Sequence, residues 1–153
     1  MSRPPGQEPD EVVSADEASA SDARRRLREQ GIVALEPDER IGVMLAPDER
    51  VVAVRRAISV ERRKDRQDPD LGLFGDLYVT TSRLVCLGQV TVDVPLVEIR
   101  EAVVAAGALR LDVGDGRGIE IRITDPSLLR VEIASVREAA RLAAARSRPT
   151  LRP

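Results

Sequence analysis

The chain has 153 residues, 24 basic against 26 acidic, with 42% apolar and 33% charged residues and a formal net charge of -2. That is the composition of one globular domain with tails, and no apolar run approaches the roughly 18 residues that span a bilayer. There is no histidine or tryptophan, and there is one each of cysteine (Cys86), tyrosine (Tyr78) and phenylalanine (Phe74), which excludes nucleophile–histidine pairs, an intrachain disulfide, a four-ligand zinc site and an aromatic base-stacking platform. A cytosolic, reducing setting is expected, and the first residues, Met-Ser-Arg-Pro-Pro-Gly-Gln-Glu, show no secretory apolar stretch.

Residues 1–23 hold six acids against Arg3 and are rich in Pro, Ser and Ala. Too little apolar surface is offered to offset ordering entropy, so this segment is expected to be a disordered acidic tail. Residues 24–42 read as a lead-in. A short helix is expected from Asp22, stopped at Gly31, with Leu27 as its main apolar contact. Leu35-Glu-Pro-Asp-Glu-Arg-Ile41 and Leu45-Ala-Pro-Asp-Glu-Arg-Val51 share one pattern, L-x-P-D-E-R-[IV]. Both copies predict a turn that leads into a strand, with the first copy being only a lead-in segment as the alternative.

From Val51 the pattern is one of short strands. Val51–Val60 is the first, followed by a charged loop from Glu61 to Gly72. Leu77–Thr80, Arg83–Leu87, Val90–Val94 and Ile99–Ala105 follow, separated by tight turns. Leu109, Leu111 and Val113 alternate with polar residues, as do Ile119, Ile121 and Ile123, and Gly114-Asp-Gly116 joins the two runs as a hairpin. The period then changes. Asp125-Pro126 is an N-cap with proline at the first helical position. Leu129, Ile133, Val136, Ala140 and Ala143 make one apolar stripe on a helix that ends before Pro149.

Seven antiparallel strands closed by a C-terminal amphipathic helix is the layout of the pleckstrin-homology superfold. Gly75-Asp-Leu-Tyr-Val-Thr-Thr-Ser-Arg-Leu-Val85 resembles the G-x-L-Y-[LV]-T-x-x-R-L signature of bacterial pleckstrin-homology-like (GRAM-like) domains. Leu45-x-Pro-Asp-Glu-Arg-Val-Val52 is similar to their lead-in, and Val94-Pro-Leu-Val-Glu-Ile99 to their step into the next strand. The resemblance covers residues 43–146 and leaves 147–153 as a flexible C-terminus. It implies a mainly β domain, a seven-stranded barrel or sandwich capped by the helix. It also implies a non-enzymatic interaction module for a protein or peptide partner, with anionic lipid headgroups as the alternative ligand.

Candidate residues follow from both readings. Arg62, Arg63, Lys64 and Arg66 occupy the expected loop after the first strand, with Arg55 beside it, and are the candidate anion- or lipid-binding set. Asp65, Asp68 and Asp70 dilute that charge. Arg83 is expected to be structural, holding its hairpin through backbone carbonyls or a carboxylate such as Asp76, and Asp125 and Pro126 to start the helix. Cys86 reads as a small buried hydrophobe. No catalytic residue, cofactor or metal site is expected. Nucleic acid is not an expected partner, given the absence of a helix-turn-helix pattern and a pI of about 5.4.

Overall fold

A computed structural model describes residues 9–64, 68–69 and 73–147. Its elements in order are α1 (Pro9–Gln30), α2 (Glu39–Gly42), β1 (Val51–Lys64), β2 (Asp68–Pro69), β3 (Leu73–Thr80), β4 (Arg83–Gly88), β5 (Thr91–Pro95), β6 (Glu101–Ala105), β7 (Ala108–Gly114), β8 (Arg117–Arg122) and α3 (Pro126–Ser147). A single 3-10 turn, Leu96–Glu98, separates β5 from β6.

Every strand pairing is antiparallel, in the order β5-β4-β3-β1-β8-β7-β6, with the two-residue β2 attached to β1. Long β1 makes this order possible. It pairs with β3 from Val51 to Val60 and with β8 from Ser59 to Arg63. Between Arg55 and Ile58 the register slips at a bulge, where Ala57 takes a positive φ of 51°. The Ala57 amide, which the ladder leaves over, donates to Asp76 Oδ1 at 3.0 Å. At the signature glycine, a Cβ on Gly75 would lie 2.5 Å from the Leu87 carbonyl oxygen, so only glycine lets β3 and β4 approach there. The Gly114-Asp115-Gly116 turn has φ of 88°, 57° and 72°, as a positive-φ hairpin requires. With the two-residue β2 set aside, seven antiparallel strands and a closing helix are the pleckstrin-homology-like layout that the resemblance implies.

The principal core joins the sheet to α3. Val60, Leu109, Leu111, Ile121 and Val92 are buried with Leu129, Ile133 and Val136 from the helix stripe. Each such side chain contributes about 1.5–3 kcal/mol of burial. The stripe runs out at its end, where Ala143 is exposed. A second cluster covers the opposite face, with Ile41 packed on Val51, Tyr78, Val85 and Leu87. Strands β3 and β4 are therefore covered on both sides, which explains their unbroken buried runs Leu77–Thr80 and Leu84–Leu87.

Four expectations need correction. The acidic segment through residue 23 is not a disordered tail over its described part: α1 begins at Pro9, and Ala20 and Ala23 are buried against Val131, flanked by Leu27 and Leu128. Asp16 explains the docking. Its carboxylate accepts the Ser127 amide at 2.9 Å and the Leu128 amide at 3.1 Å, capping α3 from 111 residues away. Asp125 therefore does not supply the side-chain cap expected of it, although Pro126 does open the helix. The first L-x-P-D-E-R copy forms α2, a one-turn helix capped by Asp38 through the Ile41 amide, rather than a strand lead-in. Finally, β1 runs four residues past Val60, because β8 offers partners as far as Arg63.

Candidate functional site: a basic groove beside the C-terminal helix

Three side-chain clusters clasp the fold, and they absorb many of the charges that the sequence singled out. In the first, Glu49 is buried and gathers the turn between β3 and β4. Thr80 Oγ1 donates to Glu49 Oε2 at 2.5 Å, Ser82 Oγ at 2.8 Å and Arg83 Nε at 2.9 Å, while Arg83 Nη2 reaches Oε1 at 3.1 Å. The Ala46 amide donates to Oε1 at 3.0 Å. Burial opposes the Glu49 charge, but Arg83, Thr80, Ala46 and Ser82 outweigh it and hold the carboxyl at about 2. Arg83 also pairs with Asp93 at 2.6 Å and donates to the Met44 carbonyl at 2.5 Å. Its carboxylate partners are Glu49 and Asp93, not the expected Asp76. The Pro-Asp-Glu and T-x-x-R stretches thus meet in space, which is a local reason for both.

In the second cluster Asp76 serves β1 instead. It binds the Ala57 amide, Arg56 at 3.0 Å and Arg40 at 3.3 Å. Arg56 stands 5.7 Å over the Tyr78 ring. Tyr78 Oη donates to Asp38 Oδ2 at 2.6 Å, and this bond, with the Ile41 amide, pulls the Asp38 carboxyl down to about 2. In the third, Arg55 reaches α3. It binds Asp125 at 3.1 Å and makes a close contact with Glu132. Burial works against the Arg55 charge and is outweighed by Glu132 and Asp125, so its pKa is raised. Glu132 is pushed up by the same burial.

The expected anion-binding set is consequently split. Arg55 is committed to Asp125 and Glu132 across the sheet–helix junction. Arg62, Arg63 and Lys64 lie in β1, paired with β8 or β2, and not in a loop. The Arg62 Nε is buried. The side chains of Arg63 and Lys64, and Arg66 altogether, lie outside the described residues. Cys86 is buried, and that burial raises its thiol pKa, which disfavours the reactive thiolate.

A different set of arginines comes together elsewhere. Between the C-terminal half of α1, the first turns of α3 and the start of β6 runs an open groove of about 640 Å³. Leu27, Ala102, Val131, Ile133 and Ala134 line it with apolar surface. Arg24, Arg28, Arg100, Arg130 and Arg137 border it, against a single acid, Glu101. Arg137 donates to the Ile99 carbonyl at 2.6 Å, and the Arg100 guanidinium lies over Gly114. Arg24, Arg28, Arg100 and Arg130 have no carboxylate at ion-pair distance among the described residues, whereas Arg40, Arg55, Arg56, Arg83, Arg110, Arg122 and Arg141 all do. These cations come from segments about 70 and 30 residues apart in the chain. No run of basic residues marks the groove, apart from Arg24-Arg25-Arg26-Leu-Arg28, whose first and last members, four residues apart, share one helix face.

Among the described residues no group of three or more Cys, Asp or Glu is placed to hold a metal ion. No described helix is long and apolar enough to cross a membrane.

No family model matches the chain, and no curated protein matches it in sequence. Among solved structures it is similar to the Vps36 N-terminal PH domain, at 11% identity and a TM-score of 0.49, over 66% of this chain and 86% of that one. It is also similar to the C-terminal domain of an unknown protein from Leishmania infantum, at 9% identity and a TM-score of 0.44, over 57% of this chain and 84% of that one.

Proposed function

We propose that the chain is a non-enzymatic binding module of the pleckstrin-homology-like, GRAM-like kind, acting in the cytosol, and that its partner is a protein or peptide held in the α1–α3–β6 groove. One observation carries this reading: four arginines without ion-pair partners among the described residues border an apolar-lined concavity. Folding that leaves like charges close together and unneutralised is unfavourable, and a ligand that neutralises them recovers the difference. The concave shape favours a chain that can enter between two helices over a flat bilayer surface. The lipid alternative has less support, since Arg55 is held by two carboxylates and Arg62 has its Nε buried.

Hydrogen–deuterium exchange tests the reading with two probes, a pool of synthetic random decapeptides and phosphatidylserine-containing vesicles. The expected result is peptide-induced protection of residues 24–28 and 130–137. Protection by vesicles at residues 58–64, with none from peptides, would replace this reading with the lipid-adaptor one.

A further inference from the structure

The groove's charges are arranged in rows. Arg24 and Arg28 lie four residues apart on α1, so they stand about 6 Å apart along its axis. Arg130 and Arg137 lie seven apart on α3, or about 10 Å along that axis. Side chains on one face of an extended peptide repeat every two residues, or about 6.6 Å. Two walls carrying cations at successive heights therefore match a chain of carboxylates, whereas one compact headgroup would reach only one level. Between the walls the apolar lining of Leu27 and Ala134 leaves room for uncharged side chains.

We infer that the groove selects an acidic peptide segment of a partner protein, one whose Asp or Glu residues alternate with apolar ones. This rests on the binding-module reading and adds the chemistry of the partner. Acidic side chains would pair with Arg24, Arg28 and Arg130 in charge-assisted hydrogen bonds, which the planar guanidinium makes in bidentate form. Apolar side chains would cover Leu27 and Ala134. Steering by the cluster makes association depend on ionic strength.

Fluorescence anisotropy with three labelled nonapeptides tests it: alternating Glu and Leu, alternating Gln and Leu, and alternating Lys and Leu. The Glu/Leu peptide is expected to bind at least tenfold more tightly than the Gln/Leu peptide at 50 mM salt, with the preference shrinking at 300 mM, and the Lys/Leu peptide is expected not to bind. Arg24→Glu/Arg130→Glu should remove the preference. Arg50→Glu/Arg146→Glu, which changes net charge equally and replaces residues that do not line the groove, should keep it. Both residues of the first pair lack an ion-pair partner among the described residues, so its fold should persist, and an unchanged thermal transition checks that. Equal binding of the Glu/Leu and Gln/Leu peptides would overturn the acidic class while leaving a peptide-binding groove. Equal loss in both double variants would also overturn it, since net charge alone would then account for binding. Binding of none of the three, alongside phosphatidylserine vesicle binding that Arg24→Glu/Arg130→Glu abolishes, would overturn both the inference and the reading beneath it.

Discussion

Glu49 shows how much one buried carboxylate organises. It ties the lead-in before β1 to the β3–β4 turn through Thr80, Ser82 and Arg83. Its folded pKa of about 2 lies below its ordinary value of 4.5. A depressed carboxyl contributes stability that is complete above the unfolded value and is lost as pH falls toward the folded one. The contribution therefore fades between about pH 4.5 and pH 2, and Asp38, also held at about 2, adds to the same window. Glu49→Gln is expected to cost about 2 kcal/mol at neutral pH, since it removes a charge-assisted contact and leaves Asp93 as the one carboxylate on Arg83 among the described residues. Its denaturation midpoint should also fall less steeply than the wild type's below pH 4.5. Urea titrations from pH 7 to pH 2.5 check this, and parallel acid limbs would count against the Glu49 assignment. The sequence reading offered Asp76 as the carboxylate on Arg83 and did not find Glu49. Glu49 lies 34 residues upstream in a charged turn, and nothing local distinguishes it from Asp48 or Glu39.

At the scale of elements, regular patterns were legible and alanine-based ones were not. The α3 stripe, the alternating strands β7 and β8 and the glycine turn between them all rest on large apolar residues at fixed periods. Helix α1 offers instead Asp16, Ala20, Ala23 and Leu27, spaced four, three and four. That is a helical period, but up to residue 23 its small side chains and many charges read as a tail, and only the stretch around Leu27 as a short helix. Two features make the helix: Pro9 at its start, and Gly31, whose amide bonds the Leu27 carbonyl at 2.9 Å as the helix stops. Asp16→Ala should cost about 1 kcal/mol through the lost cap. Amide exchange should quicken at Ser127 and Leu128, and also at Ala20 and Ala23 as α1 loosens. Faster exchange at Ser127 and Leu128 alone would mean that apolar contact holds α1 without the cap. Deleting residues 1–30 should cost about 2 kcal/mol, which lowers the melting temperature by about 10 °C in a domain of this size. An unchanged melting temperature would show that α1 adds nothing.

Across the whole molecule, charge is divided between clasps and groove. Paired arginines hold the lead-in, the β3–β4 turn and the sheet–helix junction, while Arg24, Arg28, Arg100 and Arg130 have no ion-pair partner in the described residues and share one concavity. A near-zero net charge conceals that division. The groove could not be read from the sequence, because its walls come from segments that only folding brings together. The division has a measurable consequence in the free protein. Like charges four apart on a helix destabilise by about 0.2–0.5 kcal/mol, and charges facing each other across the groove add to that. Arg24 and Arg130 both lie beyond the terminal turns of their helices, so neutralising them forfeits little dipole stabilisation. Arg24→Gln/Arg130→Gln should therefore raise the melting temperature by about 3 °C at 20 mM salt, through roughly 0.5–1 kcal/mol of relieved repulsion. Near 0.5 M salt, where the screening length falls to a few ångströms, the two proteins should melt together. Scanning calorimetry at both salt concentrations measures this directly. A variant that is less stable at low salt would show that these arginines are neutralised within the fold, leaving no charge for a partner to complement.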